Sequence, residues 1–286
     1  MSLSLRDELR VVLSPEQLLL VRIGRSFTWR GLTHRVLDKK SVPCVDAGDG
    51  ALPWSGAIKA LDAELSGLAG RSAFATIVLS NHFMHYAMVP WSGAPMDEEE
   101  ETAYARHFFR KLYGPAAEAW ELRLNPDRAG APQLACAVDC RLMDSVRASF
   151  AGAGIGLRSI QPHLMAAYNS CRARLQKSSA WFVLFEAGNL CLALLRQGGW
   201  SCVHTVRAGD DWYETLPCLL AREAYLTDED AATDEVLLWA PGIDASGLDA
   251  SALPESPGWK MSVLHPPIRP GLMADYDRRF AVAMSV

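Results

Sequence analysis

Glu186-Ala187-Gly188-Asn189, set between the apolar runs Trp181–Phe185 and Leu190–Leu195, is the first tract whose residue types could do chemistry. A small-residue bend between two strands can aim backbone N–H groups at a phosphate, and a carboxylate beside it can reach an accompanying metal. The bland alternative is a hairpin, because glycine suits a tight turn with or without a ligand. His82, His85, His107, Cys136 and Cys140 are metal-ligating types within one stretch. Three residues apart on a strand means opposite faces, so His82 and His85 do not converge, and ordinary core or surface roles are expected. The acidic run Glu98–Glu101 could suggest acid–base work, but carboxylates at a helix start favour the positive end of its dipole, and a solvated helix start is the expectation. No Gly-x-Ser-x-Gly elbow, Walker A loop or Gly-x-Gly-x-x-Gly fingerprint occurs. Gly152-Ala153-Gly154-Ile155-Gly156 follows a helix pattern and precedes a strand pattern, the order of a helix stop and not of a dinucleotide loop.

These residues need a scaffold, and 286 residues suffice for one large domain or two smaller ones. The net charge of −5 argues against broad nucleic-acid binding, which rests on neutralising phosphates. The start of the chain lacks a signal-peptide pattern, and no apolar run approaches the ~20 residues of a membrane span. A soluble, cytoplasmic chain is expected. Seven scattered cysteines, an odd number in mostly apolar contexts, point to reduced thiols.

Along the chain, Arg10–Leu13 and Gln17–Ile23 read as strands punctuated by Pro15, followed by a second pair, Ser26–Arg30 and His34–Leu37. Residues 39–53 read as a loop. Ile58, Leu61, Leu65 and Leu68 share a helical face, and an apolar strand over 73–80 follows. Next come strand Phe83–Val89, a helix from Asp97 to Tyr113, strands over 120–124 and 134–139, a helix over 141–150, strand 157–161 and a helix over 162–174. Strand, helix, strand, strand, helix, strand is the split βαβ, ferredoxin-like order. After Gln176–Ser179 the pattern is a three-strand meander (181–186, 190–196, 200–207), a helix over 210–224, strand Glu235–Trp239, a short helix at Asp249–Leu253, strand 262–265 and a helical C-terminal tract. Trp29, Trp54, Trp91, Trp181, Trp200, Trp212 and Trp259 fall near strand ends or loops, most of them as core and the rest as interface anchors.

Three tracts carry a resemblance. They are Leu79–Trp91 leading into the acidic helix, Phe185–Gly188 with Gly198-Gly199 and Arg207–Gly209, and Arg279–Met284. In that order the chain resembles the actin-like ATPase superfamily, and within it the type IV pilus assembly protein M family and the cytoplasmic domain of the type II secretion L protein. The resemblance implies an α/β, two-lobed actin-like (RNase H-like) fold with a ferredoxin-like subdomain inserted in the first lobe. The expected first lobe is 1–178, with the subdomain at about 73–160, and the second lobe is 179–286. It also implies a nucleotide site of two phosphate turns and an adenosine turn. The first turn would fall at Ser14-Pro15-Glu16-Gln17, where glycine is missing, Pro15 lacks an N–H and Glu16 sets a negative charge near the phosphate. In the second, Glu186 replaces the usual aspartate, Gly188 is kept, and Asn189 or Cys191 stands where threonine is usual. Gly242 of Pro241–Asp244 is the one glycine of the third. Glu186, Gly188, Asn189 and Gly242 therefore read as a vestigial nucleotide site, with no ATP or Mg²⁺ expected as a working cofactor.

From the resemblance follows the expected function: a non-catalytic cytoplasmic scaffold of a pilus or secretion-type inner-membrane complex. Its partners would be a membrane-anchored assembly protein, an assembly ATPase and, as a homodimer, a second copy of itself; it would reach the inner membrane peripherally, through the first of these. The alternative is an active, ATP-hydrolysing actin-like enzyme.

Overall fold

The computed structural model describes residues 3–28, 31–45, 48, 50–68, 72–93, 97–125, 128, 130–227, 233–241, 258–265, 267–268 and 270–286. They form two compact units. Unit 1 comprises Met1–Phe83, Asp139–Ser170 and Pro266–Val286, and unit 2 comprises Met84–Val138 and Cys171–His265.

Unit 1 is built on strands β1 (Leu3–Leu13), β2 (Gln17–Thr28), β3 (Gly31–Pro43), β4 (Ser72–Leu79) and β8 (Gly156–Pro162), in the order β3-β2-β1-β4-β8. The first three form an antiparallel meander; β4 and β8 add in parallel. Both faces of this sheet are covered, so its strands are apolar on both sides. Val12, Val21, Ile23 and Val78 pack with Ala166 of helix α4 (His163–Ser170) and with Val282–Met284 of helix α7 (Ala281–Ser285). The other face receives α1 (Ser55–Ser66), which buries Ala57, Leu61 and Leu65, and α3 (Cys140–Gly152), which buries Leu142, Val146 and Phe150. Each such Leu or Val, removed from water, contributes roughly 1.5–3 kcal/mol.

Arg10 of β1, almost wholly buried, fastens α7. Its guanidinium donates from Nη1 to the carbonyls of Ala283 and Met284 (3.2 Å each) and from Nε to Glu8 (3.0 Å). A cation at the end of a helix satisfies orphan carbonyls and opposes the negative end of the dipole.

Unit 2 repeats the five-strand order. Strands β9 (Ala180–Glu186), β10 (Asn189–Arg196), β11 (Gly199–Arg207), β12 (Glu235–Trp239) and β13 (Lys260–Val263) lie as β11-β10-β9-β12-β13, again a meander followed by two parallel strands. Helix α6 (Trp212–Leu226) buries Trp212, Leu216 and Leu220, spaced by four, against Trp181, Val183, Leu192 and Leu238. A three-stranded sheet, β5 (Met84–Val89), β7 (Gln133–Asp139) and β6 (Trp120–Asn125), in the order β5-β7-β6, carries helix α2 (Glu98–Tyr113) through Ala105 and Phe109. Helix α5 (Arg172–Leu175) precedes β9.

The structure corrects several sequence expectations. The strands over 73–80 and 157–161, assigned to a ferredoxin-like subdomain, are β4 and β8 of the unit 1 sheet, and α3 packs with α1. The small unit is thus strand, helix, strand, strand, because β4 and β8 find their parallel partners in each other and in β1. The compact units do not divide at 178/179: residues 266–286 pack on the first sheet, and residues 84–138 group with the second. Ser26–Leu37 is no separate pair, and the loop expected over 39–53 starts later. β2 and β3 are one continuous hairpin ladder from Thr28↔Gly31 to Gln17↔Pro43. Helix 162–174 is divided at Cys171. The helix expected at Asp249–Leu253 lies outside the described residues.

Candidate functional site

The first expected phosphate turn joins β1 to β2, and the N–H groups of Ser14 and Gln17 are already committed. Ser14 donates its N–H to the Gln17 carbonyl (3.1 Å) and its hydroxyl to the same oxygen (2.8 Å). Gln17 returns its N–H to Ser14 Oγ (3.1 Å). Pro15 brings no N–H. The Glu16 carbonyl accepts from Cys44 N–H at 2.8 Å. A cradle needs N–H groups turned outward, and here those of Ser14 and Gln17 close the turn on itself.

The second turn stands at the equivalent place in the unit 2 sheet, between β9 and β10. Glu186 and Asn189 are the closing pair of the ladder, and Ala187-Gly188 reverse the chain. Gly188 takes φ 77°, which only glycine adopts at little cost. Its carbonyl accepts Ala208 N–H at 3.2 Å, tying the turn to the end of β11. Asn189 is buried. Cys191, in the place of a hydroxyl residue, is buried within β10, and burial, followed by the nearby Glu186 and Cys202, pushes its thiol up. The structure therefore brings Glu186, Gly188 and Asn189 together as one hairpin. Gly242 lies outside the described residues.

The other candidates separate. His82 sits in a 3₁₀ turn, its Nδ1 2.9 Å from Ser80 Oγ, while His85 on β5 stacks on Trp120 with ring centroids 3.8 Å apart. His107 is exposed on α2. Among the described residues no group of three His, Cys, Asp or Glu side chains could hold a metal. All seven cysteines are free; burial pushes the Cys136 thiol up to about 11 against the pull of Arg123. Glu98–Glu101 form the first turn of α2, capped by Asp97. Asp97 accepts Glu100 N–H at 2.9 Å, and its own N–H donates to the Glu100 carboxylate at 3.1 Å, a capping box. Gly152 ends α3, and Gly154, with φ 67°, stops it. Trp54, Trp181, Trp200 and Trp212 are buried; Trp91 is exposed.

Sequence reasoning missed a charged cluster in unit 2. Glu223 of α6, buried, accepts from Arg222 at 2.7 Å and is hydrogen-bonded to His204 Nδ1 on β11; Cys202 Sγ is 3.9 Å from the same nitrogen. A nucleophile relay would use the two ring nitrogens separately. Both contacts here fall on Nδ1, so the cluster ties α6 to β11 and does not poise Cys202. The Cys202 sulfur, opposed by burial and aided by the Glu223 carboxylate, pushes His204 up from 6.5 to about 9. Burial resists the ionised form of Glu223, but His204 and Arg222 outweigh it and hold its carboxyl below the ordinary range. His204 binds its proton more tightly in the folded state, so its contribution is complete below pH 6.5 and lost as pH rises through about 9. Glu223 contributes above its unfolded value and loses that contribution in acid. Urea midpoints are expected to fall between neutral pH and about pH 9 in the wild type and less steeply in His204→Gln; equal slopes would show that the pair does not set the alkaline limit.

Unit 1 also carries an open groove of about 700 Å³ between α1 and α3, walled by Ile58, Asp62 and Leu65 on one side and Ser145, Ala148 and Ser149 on the other.

Two five-strand sheets of identical order, each a meander plus two parallel strands, with paired turns between their first two strands, are the architecture of the actin-like ATPase fold. Solved structures agree. The chain is similar to that of the PilM–PilN type IV pilus biogenesis complex, at TM-score 0.69 and 17% identity over 97% of this chain and 96% of that one. It is also similar to the cytoplasmic domain of EpsL, an inner-membrane component of the type II secretion system of Vibrio cholerae, at TM-score 0.54 and 11% identity over 90% of each chain. A Bacteroides thetaiotaomicron protein with an actin-like ATPase fold and unknown function matches at TM-score 0.54 and 11% identity over 94% of this chain and 95% of that one. No protein-family model and no curated protein sequence matches. Among the described residues, no helix is long and apolar enough to cross a membrane.

Proposed function

We propose that this chain is a non-catalytic cytoplasmic scaffold of a type IV pilus or type II secretion-like inner-membrane assembly. It binds a membrane-anchored partner and reaches the membrane through it. The observation that carries the non-catalytic part is the first turn, where Ser14 and Gln17 spend their donors on each other and Pro15 has none to give. A phosphate there would meet Glu16 in place of a glycine cradle. The second turn keeps Gly188 but offers a buried Cys191 where a hydroxyl would be needed. The assembly part is supported by likeness in fold to a pilus biogenesis protein solved with its partner and to an inner-membrane secretion component.

Calorimetry with Mg-ATP tests the proposal. No binding tighter than about millimolar is expected, equivalent to less than ~4 kcal/mol. Sub-millimolar binding that disappears in Gly188→Trp would replace the scaffold with an ATP-dependent enzyme.

A further inference from the structure

The α1–α3 groove of unit 1 has a one-sided hydrogen-bonding chemistry. Its three hydroxyls are each turned into their own helix: Ser66 donates to the Asp62 carbonyl (2.8 Å), Ser145 to Arg141 (2.7 Å) and Ser149 to Ser145 (2.9 Å). A hydroxyl has one proton, so these three present lone pairs to the groove and nothing else. Asp62 is the one charged side chain on the walls and also only accepts; among the described residues it has no ion pair. On α3, Arg141 is turned to Asp139 (2.7 Å) and Arg147 to Asp144 (3.5 Å); on α1 the exposed Lys59 lies three residues before Asp62. Ile58 and Leu65 supply apolar wall, and Ala148 and Gly152 leave room for a backbone or an aliphatic stem.

A surface of acceptors selects a ligand that brings donors. Lysine and arginine bring three and five and accept nothing. Phosphates bring acceptors and would meet Asp62, so nucleotides and nucleic acids are disfavoured. We propose that this groove docks a Lys- or Arg-bearing segment of another polypeptide, the cytoplasmic flank of a membrane-anchored protein, where positive residues concentrate. The class of partner rests on the scaffold reading above; the sign of its charge rests on the groove.

Gly152 makes the test clean. A Cβ built there meets nothing within 4 Å, and its φ is ordinary, so Gly152→Leu adds an apolar side chain at the groove with open space at its Cβ and favours the helix. The probes are two short labelled peptides, one of alternating Leu and Lys and one of alternating Leu and Glu, titrated by fluorescence anisotropy into the full chain at physiological salt. The Leu-Lys peptide is expected to bind and the Leu-Glu peptide not. Gly152→Leu should weaken binding by about tenfold or more with an unchanged or higher Tm, and Asp62→Lys by about fivefold, the scale of one exposed charge pair. Absence of Leu-Lys binding, equal binding of both peptides, or binding untouched by Gly152→Leu overturns the proposal. Mg-ATP calorimetry judges the scaffold reading separately: failed peptide binding with no ATP binding removes the groove alone.

Discussion

Arg10→Ala is expected to destabilise unit 1 by about 3–5 kcal/mol, the usual cost of removing one member of a buried ion pair. Two losses combine. Glu8, with its side chain only 8% exposed, would keep its charge with Arg25, at 4.0 Å, as its other ion-pair partner. The carbonyls of Ala283 and Met284 would lose a charged donor at the end of α7. Removing both charges together, as Arg10→Met with Glu8→Gln, should recover most of the loss, since the penalty comes from the orphaned carboxylate. Urea unfolding followed by circular dichroism measures this. Two compact units need not unfold together, so the transition that shifts in Arg10→Ala is the one compared. A loss below about 1 kcal/mol in Arg10→Ala would show that Glu8 relaxes into water and that Arg10 is not the fastening of α7.

Gly198→Ala is expected to be worse than Gly188→Ala, although the sequence drew attention to Gly188. Both have positive φ, 79° and 77°. That conformation costs an alanine roughly 1–2 kcal/mol in either place. Gly198 carries a second constraint: a Cβ there would lie 1.9 Å from the Gln176 carbonyl oxygen, a backbone atom that cannot swing aside. Its own N–H donates to the Ser178 carbonyl at 2.9 Å, so the β10–β11 turn and the segment leading into β9 are held together at this residue. A loss of about 3 kcal/mol or more is expected for Gly198→Ala against about 1–2 for Gly188→Ala. Thermal unfolding of the two variants side by side decides it; equal losses would mean that residues 176–178 move away at little cost.

The contrast between these glycines shows where the sequence was informative. Strand identity was legible because both sheet cores are written in continuous apolar runs such as Leu190–Leu195, and helix faces because Trp212, Leu216 and Leu220 recur by four. The order of elements was legible for the same reason. Which sheet a strand joins was not. β4 and β8 read as members of a small split unit because their neighbours in the chain belong there, while their hydrogen bonds go to each other and to β1. Lys39-Lys40 read as loop because an edge strand shows polar residues, yet the ladder runs on to Pro43. In the candidate site, Glu186, Gly188 and Asn189 were legible as one bend from local spacing alone. His204 and Glu223 were not: they lie 19 residues apart on a strand and a helix, and only packing brings Nδ1 to the carboxylate. The groove was hidden for the same reason, since Asp62 and Ser149 meet only through the contact of α1 with α3.

The position of α7 also sets an order of events in synthesis. Arg10 is translated long before its carbonyl partners, which lie 273 and 274 residues later. Every residue of unit 2 has been synthesised by His265, whereas the face of unit 1 formed by Val12, Val21 and Ile23 receives Val282–Met284 only after that. Until then that apolar face has no α7 against it, and a buried arginine waits with it. The earlier-begun half of the protein is the later to close, and for the time the ribosome takes to pass from residue 23 to residue 284 its first sheet is a substrate for whatever binds exposed apolar strands.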